Sequence, residues 1–303
     1  MSVILITGCS SGIGVETARA LASTGARVFL ATRSLERGQA ACKHFLESGR
    51  VELLQLDTSS ISSVRTAAET FLAKSRSLNI LICNAGVMNV PTREESVDGF
   101  EIQFATNYLG HFLLFWLLKD AMLKAATTSP GFYSRLITVS SSGHHASEIQ
   151  FEDWNLACDG AYHPSKAYGQ SKLAQIYMAN YIDRYYGPQG LHALSVMPGG
   201  IFTNLQKYIP QEMQESWKAN PTVMKWMKSP EQGAATTVLA AVGQDWEGRG
   251  GRYLEDCREA SATSISPGVA GVKDYAYDEF KEARLWSLTL QILGIQDSKY
   301  PSQ

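Results

Sequence analysis

Short apolar runs alternate with longer amphipathic segments from the N-terminus onward. Runs rich in Val, Ile and Leu predict buried strands, and apolar positions that recur with a helical period predict the helices between them. This alternation is typical of βαβ units, so we predict an α/β fold with one doubly wound parallel sheet and helices on both faces. The predicted strands cover residues 3–7, 27–31, 51–56, 80–83, 135–140 and 191–197, and the predicted helices cover residues 13–23, 35–47, 61–75, 104–124 and 163–186.

The pattern changes after the sixth predicted strand. Residues 208–227 contain Trp217, Trp226 and two prolines but no strand-like run. Ligands of open α/β sheets bind beyond the carboxyl ends of the strands, so an apolar segment here, with approximate bounds 204–228, would cover that crevice as a helical substrate lid. A pair of surface helices packed on their own aromatic residues is an equally good interpretation. No repeat or linker interrupts the chain, which favours one domain over residues 1–303 with a C-terminal extension at 258–303.

The composition is that of a globular protein. Hydrophobic residues make up 45% of the 303 residues and charged residues 18%, and 27 Lys and Arg against 29 Asp and Glu leave a net charge of −2. The chain lacks the basic excess with which nucleic-acid-binding proteins contact phosphates, so we expect no nucleic-acid partner. Its five cysteines have neither metal-ligand spacing nor an even number, so we expect no metal site and no disulfide framework.

We expect a cytoplasmic protein without an integral membrane segment. The first predicted strand begins at residue 3, which leaves no room for a signal peptide before the fold starts. The most apolar stretch, residues 109–118, has about half the length of a membrane-spanning helix and is interrupted by His111, so we predict a buried helix there.

A glycine-rich loop joins the first predicted strand to the first predicted helix. Gly8 permits a tight turn, Gly12 lets the backbone approach a phosphate, and Gly14 allows helix and strand to pack closely. The N–H groups and the dipole of the helix would face the anion, so the loop predicts a dinucleotide site; a βα turn that binds nothing is the alternative. The loop reads Thr7-Gly8-Cys9-Ser10-Ser11-Gly12-Ile13-Gly14, and Ser10, Ser11 and Ile13 complete the predicted contacts.

The end of the second predicted strand indicates which dinucleotide binds. An acidic residue there accepts from the ribose 2′-OH of NAD, whereas a basic residue accommodates the 2′-phosphate of NADP. Arg33 offers a guanidinium that matches phosphate geometry, with Ser34 and Arg37 as helpers, so we predict NADP(H). A solvated arginine with no specific role is the alternative. After the third strand, Asp57 and Thr58 would contact the adenine, or Asp57 would cap the following helix.

Tyr168 and Lys172 carry the strongest chemical signal. They are separated by four positions in a predicted helix and therefore lie on one face of it. A free tyrosine has a pKa of about 10, so its use as a proton donor or acceptor near neutral pH requires a nearby positive charge. Lys172 and a nicotinamide ring would supply that charge.

Together these motifs resemble the short-chain dehydrogenase/reductase family, in order and spacing and over nearly the whole chain. Three further segments resemble its branch of retinol dehydrogenases and WW-domain oxidoreductases. The resemblance implies a Rossmann fold, and members of this branch are typically NADP-linked and act on lipophilic alcohols and carbonyls. The family resemblance rests on Thr7 to Gly14, Asn84-Ala85-Gly86, Asn107, Ser140-Ser141-Ser142 and Tyr168 to Lys172, and the branch resemblance rests on residues 104–112, 167–174 and 251–257.

The resemblance implies a role for each of these residues. Ser141 would hydrogen-bond the substrate carbonyl while Tyr168 gives it a proton, and Lys172 would also bind the hydroxyls of the nicotinamide ribose. Asn107 would interrupt its helix and hold a water that passes protons from solvent to Lys172. The adenine pocket would be shaped by Asn84, Ala85 and Gly86, and after the sixth strand Pro198 and Gly199 would lead to Ile201 and Thr203, which would contact the nicotinamide carboxamide.

The remaining polar and aromatic residues carry weaker predictions. Ser140 and Ser142 are expected in local turns, and His111, on an apolar helix, is expected to be a packing residue. His144 and His145 would face the substrate or orient a lid, since no carboxylate or cysteine accompanies them at metal-ligand spacing. The helix that carries Phe112, Phe115 and Trp116 predicts core or a subunit interface, and pairing of this helix and the Tyr168 helix between two copies would match the homodimer common in the family.

The sequence therefore predicts an NADP(H)-dependent oxidoreductase that interconverts a carbonyl and an alcohol on a small lipophilic molecule, such as a secondary metabolite, with a tyrosine as general acid and base. NAD-dependent alcohol oxidation is a second enzyme hypothesis, which Arg33 disfavours. A cofactor-binding scaffold, or a catalyst of a non-redox step on the same fold, is the hypothesis of another class. Scaffolds of this kind usually lose the tyrosine or the lysine, and both are present here.

Overall fold

The strands form where the sequence has its short apolar runs. The structure, a computed structural model, describes residues 1–129, 131–263 and 270–296. Successive side chains of a strand face opposite sides of the sheet, and helices cover both sides, so the strands at the centre of the sheet are buried at nearly every position. The strands are β1 (Val3–Thr7), β2 (Arg27–Thr32), β3 (Val51–Gln55), β4 (Ile80–Cys83), β5 (Ser134–Val139), β6 (Leu191–Met197), β7 (Gly200–Ile201), β8 (Met227–Lys228), β9 (Arg252–Glu255) and β10 (Arg258–Glu259).

The strand order confirms the predicted doubly wound parallel sheet. The main sheet has eight strands in the order β10-β9-β6-β5-β4-β1-β2-β3. The short strand β9, which the sequence analysis did not predict, continues the parallel sheet beside β6, and β10 returns antiparallel to β9. Because the chain changes direction across the sheet between β1 and β4, a crevice for a ligand is expected beyond the carboxyl ends of these strands.

Helices cover both faces of this sheet, and all five predicted helices are present with two changes. The helix predicted over 35–47 ends at Cys42, because Glu47 and Val51 exchange backbone hydrogen bonds in an antiparallel bridge. The helix predicted over 104–124 is divided by the π-helical turn Ala105–Leu109. The helices are α1 (Gly12–Ala22), α2 (Leu35–Cys42), α3 (Ile61–Lys74), α4 (Ile102–Phe104), α5 (Gly110–Thr128), α6 (Pro164–Tyr186), α7 (Gln211–Ala219), α8 (Pro221–Met224), α9 (Pro230–Val242) and α10 (Glu279–Ile292).

Two hydrophobic layers follow from the alternation of side chains along each strand. Leu5 of β1 packs into the layer formed with α3, α5, α6 and α10. Its neighbours Ile4 and Ile6 pack into the opposite layer, formed with α1 and α9. Burial on both sides holds the strand ends in a fixed arrangement, and the loops that follow β1, β4, β5 and β6 meet at one edge of the sheet.

The aromatic face of α5 is covered by the C-terminal helix α10. Phe112 and Phe115 are fully buried, and the Trp286 ring of α10 lies 4.8 Å from the Phe112 ring and 6.3 Å from the Phe115 ring, measured between centroids. The sequence predicted either a core or a subunit-interface role for this face, and Phe112 and Phe115 belong to the core. No helix of the described residues is long and apolar enough to span a membrane.

The segment predicted as a lid carries α7, α8 and, at its end, the short strand β8. The prediction that no strand occurs in 208–227 is wrong by one residue, because Met227 pairs in parallel with Gly200 and so closes the segment against β7. Trp217, Val223 and Trp226 line the main cavity, although Trp226 is 61% exposed. In the predicted C-terminal extension, residues 264–269 and 297–303 lie outside the described residues.

Candidate active site

A cavity of about 1240 Å³ opens beyond the carboxyl ends of β1, β4, β5 and β6. The glycine loop forms one wall of it. Gly8 has a φ of +80°, which makes the turn, and a side chain at Gly14 would collide with the Gly8 carbonyl oxygen, 2.3 Å from the position of a Cβ atom. This contact brings α1 directly against the end of β1, so that the first turn of the helix faces the cavity.

The N-terminus of α1 is suited to an anion. Ser11 is the N-cap residue, but its side chain makes no capping hydrogen bond. The first N–H groups of a helix have no partner within the helix, and here no capping side chain takes them. Ser10, Gly12 and Ile13 also line the cavity. The residues present therefore fit a dinucleotide pyrophosphate, held by backbone N–H groups and the helix dipole.

Two arginines lie where the cavity reaches the end of β2. The side chains of Arg33 and Arg37 are exposed, and within the part of the chain that the structure describes neither forms a salt bridge. Ser34, predicted as a helper, is the N-cap of α2, and its hydroxyl accepts from the Arg37 N–H at 3.2 Å. The two guanidinium groups are thus free to bind a phosphate at the cavity rim.

Asp57 serves the turn before α3. One oxygen of its carboxylate accepts from the Ser59 N–H at 2.9 Å and from the Ser59 hydroxyl at 2.6 Å. The N-cap of α3 is Ser60, so Asp57 shapes the turn without being the cap itself. Both Asp57 and Thr58 line the cavity.

The loop after β4 is tied to the end of β1. The Thr7 hydroxyl oxygen accepts from the backbone N–H groups of Asn84 and Ala85, both at 2.9 Å, and the Asn84 side chain donates to the Thr7 carbonyl at 2.8 Å. His111 is fully buried behind this loop, with Nε2 2.8 Å from the Thr7 hydroxyl and Nδ1 2.8 Å from the Asn107 carbonyl. His111 is thus a satisfied packing residue that links two cavity walls.

The predicted catalytic side chains meet at the end of β5. Ser141 follows β5, and its hydroxyl oxygen accepts from the Gly143 N–H at 3.0 Å, which leaves the hydroxyl hydrogen free for another acceptor. Tyr168 and Lys172 lie on the same face of α6, with the Lys172 ammonium 5.6 Å from the centre of the Tyr168 ring. All three side chains line the cavity that contains the glycine loop.

Burial controls the protonation of the tyrosine and the lysine. Burial raises the pKa of Tyr168 to about 12, and a hydrogen bond with Ser141 opposes the rise. Burial also lowers the pKa of Lys172 to about 7. The Lys172 ammonium donates to the Val139 carbonyl at 2.8 Å and to the Gln175 side-chain oxygen at 3.0 Å. Tyr168 therefore keeps its proton at neutral pH, where it can act as a donor.

Asn107 lies behind the cavity wall and not in its lining. It sits in the π-helical turn that interrupts the helix, fully buried. Its side-chain oxygen accepts from the Val87 N–H at 2.8 Å, and its side-chain nitrogen donates to the Val87 carbonyl at 3.0 Å and to the Ser171 hydroxyl at 2.9 Å. The side chain thus anchors the loop after β4 to α6.

Two sequence predictions near the serine are wrong. Ser140 is not confined to a local turn, because its hydroxyl donates to the Lys172 carbonyl at 2.8 Å and so joins β5 to α6. His144 and His145 do not face the cavity but contact the C-terminal segment: His144 Nε2 accepts from the Lys273 N–H at 3.3 Å, and His145 Nε2 lies 2.9 Å from the Gly271 carbonyl. Among the described residues, no cluster of His, Cys, Asp or Glu could hold a metal ion.

Sequence reasoning missed two residues of this site. A Cβ atom at Gly143 would lie 2.6 Å from Cε1 of Tyr168, so only glycine lets the loop and the ring approach this closely. Gln175 is fully buried and hydrogen-bonds Lys172. Its position three residues after Lys172, on the same helix face, was a usable signal. Gly143 carried no such local signal, because its contact spans 25 positions of sequence.

The chain after β6 forms another wall of the cavity. Ile201 is buried and packs against α9, and the Thr203 hydroxyl accepts from the Leu205 N–H at 3.2 Å within a capping box. With the exception of Asn107, every predicted site residue lines the one cavity: Gly8, Ser10, Ser11, Gly12, Ile13, Gly14, Arg33, Ser34, Arg37, Asp57, Thr58, Asn84, Ala85, Gly86, Ser141, Tyr168, Lys172, Pro198, Gly199, Ile201 and Thr203.

The chain is similar in sequence to known dehydrogenases and reductases. Residues 2–153 match the family model for short chain dehydrogenases. The chain is 51% identical over 296 residues to the short-chain dehydrogenase/reductase prx1 of Penicillium roqueforti, an alignment that covers 97% of this chain and 86% of that protein. It is 34% identical over 304 residues to human retinol dehydrogenase 11, with coverage of 97% and 86%.

A solved structure with similar sequence has the same fold. The structure of an uncharacterised protein from Mycobacterium paratuberculosis aligns with a TM-score of 0.73 at 32% identity and covers 98% of this chain and 94% of its own. These alignments cover 97–98% of the chain. The chain therefore belongs to the short-chain dehydrogenase/reductase family, whose members are oxidoreductases that bind a nicotinamide cofactor.

Proposed function

We propose that the chain is an NADP(H)-dependent oxidoreductase that interconverts a carbonyl and an alcohol on a small lipophilic molecule. The observation that carries this proposal is the shared cavity: Ser141, Tyr168 and Lys172 line the same space as the glycine loop and Arg33. A scaffold without catalytic activity would have no need to keep these three side chains together. The reducing direction is favoured, because Tyr168 holds its proton at neutral pH.

The chain's own residues account for the proton chemistry. When bound, the nicotinamide cofactor supplies or accepts the hydride. During reduction, the Ser141 hydroxyl donates a hydrogen bond to the substrate carbonyl oxygen, and the Tyr168 hydroxyl gives that oxygen its proton. The Lys172 ammonium has three hydrogens and uses two of them on Val139 and Gln175, which leaves one for a hydroxyl of the cofactor ribose. Its positive charge also favours the phenolate that remains on Tyr168.

Asn107 has an indirect role in this proposal. Its side chain fixes the loop after β4, and its backbone carbonyl oxygen accepts from Nδ1 of His111 at 2.8 Å. We propose that Asn107 also helps to hold the water through which Lys172 exchanges protons with solvent.

The preference for NADP(H) is supported by Arg33 and Arg37. Their exposed guanidinium groups lie at the cavity rim at the end of β2, and no carboxylate occurs there before Glu36. A 2′-phosphate would form charge-assisted hydrogen bonds with both groups, whereas the 2′-hydroxyl of NAD would find no carboxylate acceptor.

The lipophilic substrate is supported by the apolar side chains in the cavity lining. Met197, Trp217, Val223, Trp226 and Met227 all line the cavity. The segment 204–228 acts in this proposal as the substrate lid. The relative named retinol dehydrogenase 11, by its name, also acts on a lipophilic alcohol.

Thermal unfolding with NADPH and with NADH, measured in parallel, tests the cofactor without any assumption about the substrate. A ligand at about 100 times its Kd adds about 2.7 kcal/mol to the free energy of unfolding, so we expect a clear rise in Tm with NADPH and a smaller one with NADH. A rise with NADH alone would favour NAD-linked alcohol oxidation. No rise with either would favour a protein that binds no nicotinamide cofactor.

A panel of lipophilic carbonyls that begins with nonanal, followed through NADPH absorbance, tests the reaction. We expect turnover to fall by about 10² or more in Tyr168→Phe, because only the proton donor is lost. The Tm rise with NADPH should stay as in the wild type. Turnover by Tyr168→Phe close to the wild-type rate would remove this residue from the mechanism.

A further inference from the structure

His144 joins the candidate catalytic serine to the C-terminal segment. Its ring is fully buried, with Nδ1 2.6 Å from the Ser141 carbonyl oxygen and Nε2 3.3 Å from the backbone nitrogen of Lys273. The backbone N–H of His144 donates to the same Ser141 carbonyl at 3.1 Å. His144 thus makes two hydrogen bonds to the Ser141 carbonyl, one from its ring and one from its backbone. Its ring also accepts a hydrogen bond from Lys273, about 130 positions away in the sequence.

The two hydrogen-bond partners of the His144 ring define its tautomer. The Ser141 carbonyl can only accept and the Lys273 N–H can only donate, so we assign the hydrogen to Nδ1 and the lone pair to Nε2. Burial lowers the pKa of His144 to about 4; the charges of His145 and Lys273 act in the same direction, and the hydrogen bond to Ser141 opposes it. The neutral ring therefore satisfies both contacts at physiological pH.

The C-terminal segment is itself anchored to the helix that carries Tyr168. The Tyr275 hydroxyl donates to the His144 carbonyl at 2.8 Å, and the Tyr177 hydroxyl of α6 donates to the Tyr275 carbonyl at 2.7 Å. One residue further, the Ala276 carbonyl accepts from the Asn180 side chain, also of α6, at 2.8 Å. Contacts thus run from α6 through the C-terminal segment to the serine.

We propose that His144 is a positioning residue that sets the Ser141 hydroxyl against Tyr168 through the hydrogen bond from its Nδ1 to the Ser141 carbonyl oxygen. The inference rests on the proposed function for its catalytic consequence. The Ser141 hydroxyl is oriented by the Gly143 N–H, and Gly143 in turn lies against the Tyr168 ring, so a shift of the Ser141 backbone changes both groups together. A displacement of about 1 Å in an active site can cost about 10²-fold in rate.

Two conservative variants separate the two contacts of His144. In His144→Asn, the side-chain nitrogen can take the place of Nδ1 and donate to the Ser141 carbonyl, but the side chain is too short to reach Lys273. In His144→Gln, the side-chain oxygen can accept from the Lys273 N–H, whereas nothing remains at the position of Nδ1. His145→Ala is the matched control, because His145 contacts the same C-terminal segment at Gly271 and not the serine.

We measure kcat, KM and NADPH affinity with nonanal, together with hydrogen exchange of the backbone amides of residues 140–146. We expect His144→Gln to lower kcat by about 10-fold or more with KM and NADPH affinity within about two-fold. His144→Asn should keep kcat within about three-fold of the wild type, and His145→Ala should do the same. Amide exchange should rise in His144→Gln and remain near the wild-type rate in His144→Asn.

Other outcomes would overturn the proposal. If His144→Gln keeps the wild-type kcat, or if kcat falls as far in His145→Ala as in His144→Gln, His144 does not specifically position Ser141. The same conclusion follows if both His144 variants lose kcat equally. Tyr168→Phe in the same assay reports separately on the proposed function, and the amide exchange needs no substrate, so it tests the hold on Ser141 even if the proposed reaction is wrong.

Discussion

Burial shifts the pKa values of two ionisable residues of α6 in opposite directions. Tyr168 and Lys172 are 6% and 4% exposed, so each disfavours its charged form. The tyrosine pKa rises to about 12 and the lysine pKa falls to about 7. The spacing of Tyr168 and Lys172 predicted that the lysine would favour the phenolate, and its ammonium does lie 5.6 Å from the centre of the ring, but burial has the larger effect on the pKa of Tyr168.

Lys172→Met should change how stability depends on pH. The pKa of Lys172 is about 7 in the folded protein against an ordinary 10.5, so between these values the unfolded chain binds more protons than the folded one. The free energy of unfolding contributed by this residue therefore rises with pH over this window, by up to about 1.4 kcal/mol per pH unit. Tyr168, with its raised pKa, acts in the opposite direction only above pH 10.

Urea unfolding between pH 7 and pH 10 measures this slope. We expect a flatter dependence in Lys172→Met than in the wild type. The control is Lys43→Met, since Lys43 is exposed on the surface. Parallel curves for the wild type and Lys172→Met would contradict the low pKa.

Arg33→Asp should weaken the binding of NADPH far more than that of NADH. Arg33 lines the cavity and forms no salt bridge with the described residues, so its replacement breaks no ion pair among them. Loss of a charge-assisted hydrogen bond, with repulsion added by the new carboxylate, should cost about 10-fold or more in NADPH affinity. Isothermal titration calorimetry measures the affinities for both cofactors. Arg65→Asp controls for the change in net charge, because Arg65 is exposed on α3. An unchanged ratio of the two affinities would argue against Arg33 as the phosphate ligand.

At the scale of elements, the connection from β5 to α6 determines the geometry of the candidate active site. Ser140 donates to the Lys172 carbonyl, and Gly143 and Gly169 lie against each other where the loop crosses the helix, so strand end and helix face are held in contact. The local pattern predicted both β5 and α6. Their mutual position depends on hydrogen bonds across more than 30 positions of sequence, which no local pattern encodes.

Gly143→Ala should lower turnover through this connection. The new methyl group would come within 2.6 Å of Cε1 of Tyr168, closer than two carbon atoms can approach, so the ring or the loop must move. We expect kcat to fall by about 10-fold or more, since both the serine and the tyrosine would be displaced. The rise in Tm with NADPH should remain, because the glycine loop is untouched. A variant with wild-type kcat would show that the loop yields without cost to the site.

At the scale of the whole molecule, α10 completes the core. Trp286 is 2% exposed and stacks on Tyr181 of α6 at 4.2 Å, while the Tyr108 hydroxyl lies 2.7 Å from that of Thr289. Arg184 of α6 pairs with the buried Glu282 carboxylate at 2.5 Å. The C-terminal helix thus contacts both helices, α5 and α6, for which the sequence left core and subunit interface as alternatives.

Trp286→Ala should destabilise the whole fold. Truncation of a fully packed tryptophan leaves a large cavity and typically costs about 3–5 kcal/mol. The control on the same helix is Phe280→Ala, since Phe280 is 77% exposed and its removal should change the free energy of unfolding by less than about 0.5 kcal/mol. Urea unfolding followed by circular dichroism compares the two. Equal effects of the two variants would mean that α10 is not part of the cooperative core.

The sequence by itself determined which segments form six parallel strands and five helices, and in what succession along the chain. It also determined the glycine loop and the placement of Tyr168 and Lys172 on one helix face. Each of these depends on residues close together in the sequence. Strands repeat every two residues and helices every 3.6, and side chains four positions apart lie on one helix face. Only the tertiary structure decided the contacts of His144 with Lys273, the role of Gly143 and the place of α10. These depend on residues far apart in the chain and on burial, which shifts the pKa values of Tyr168 and Lys172 and arises only when the chain is folded.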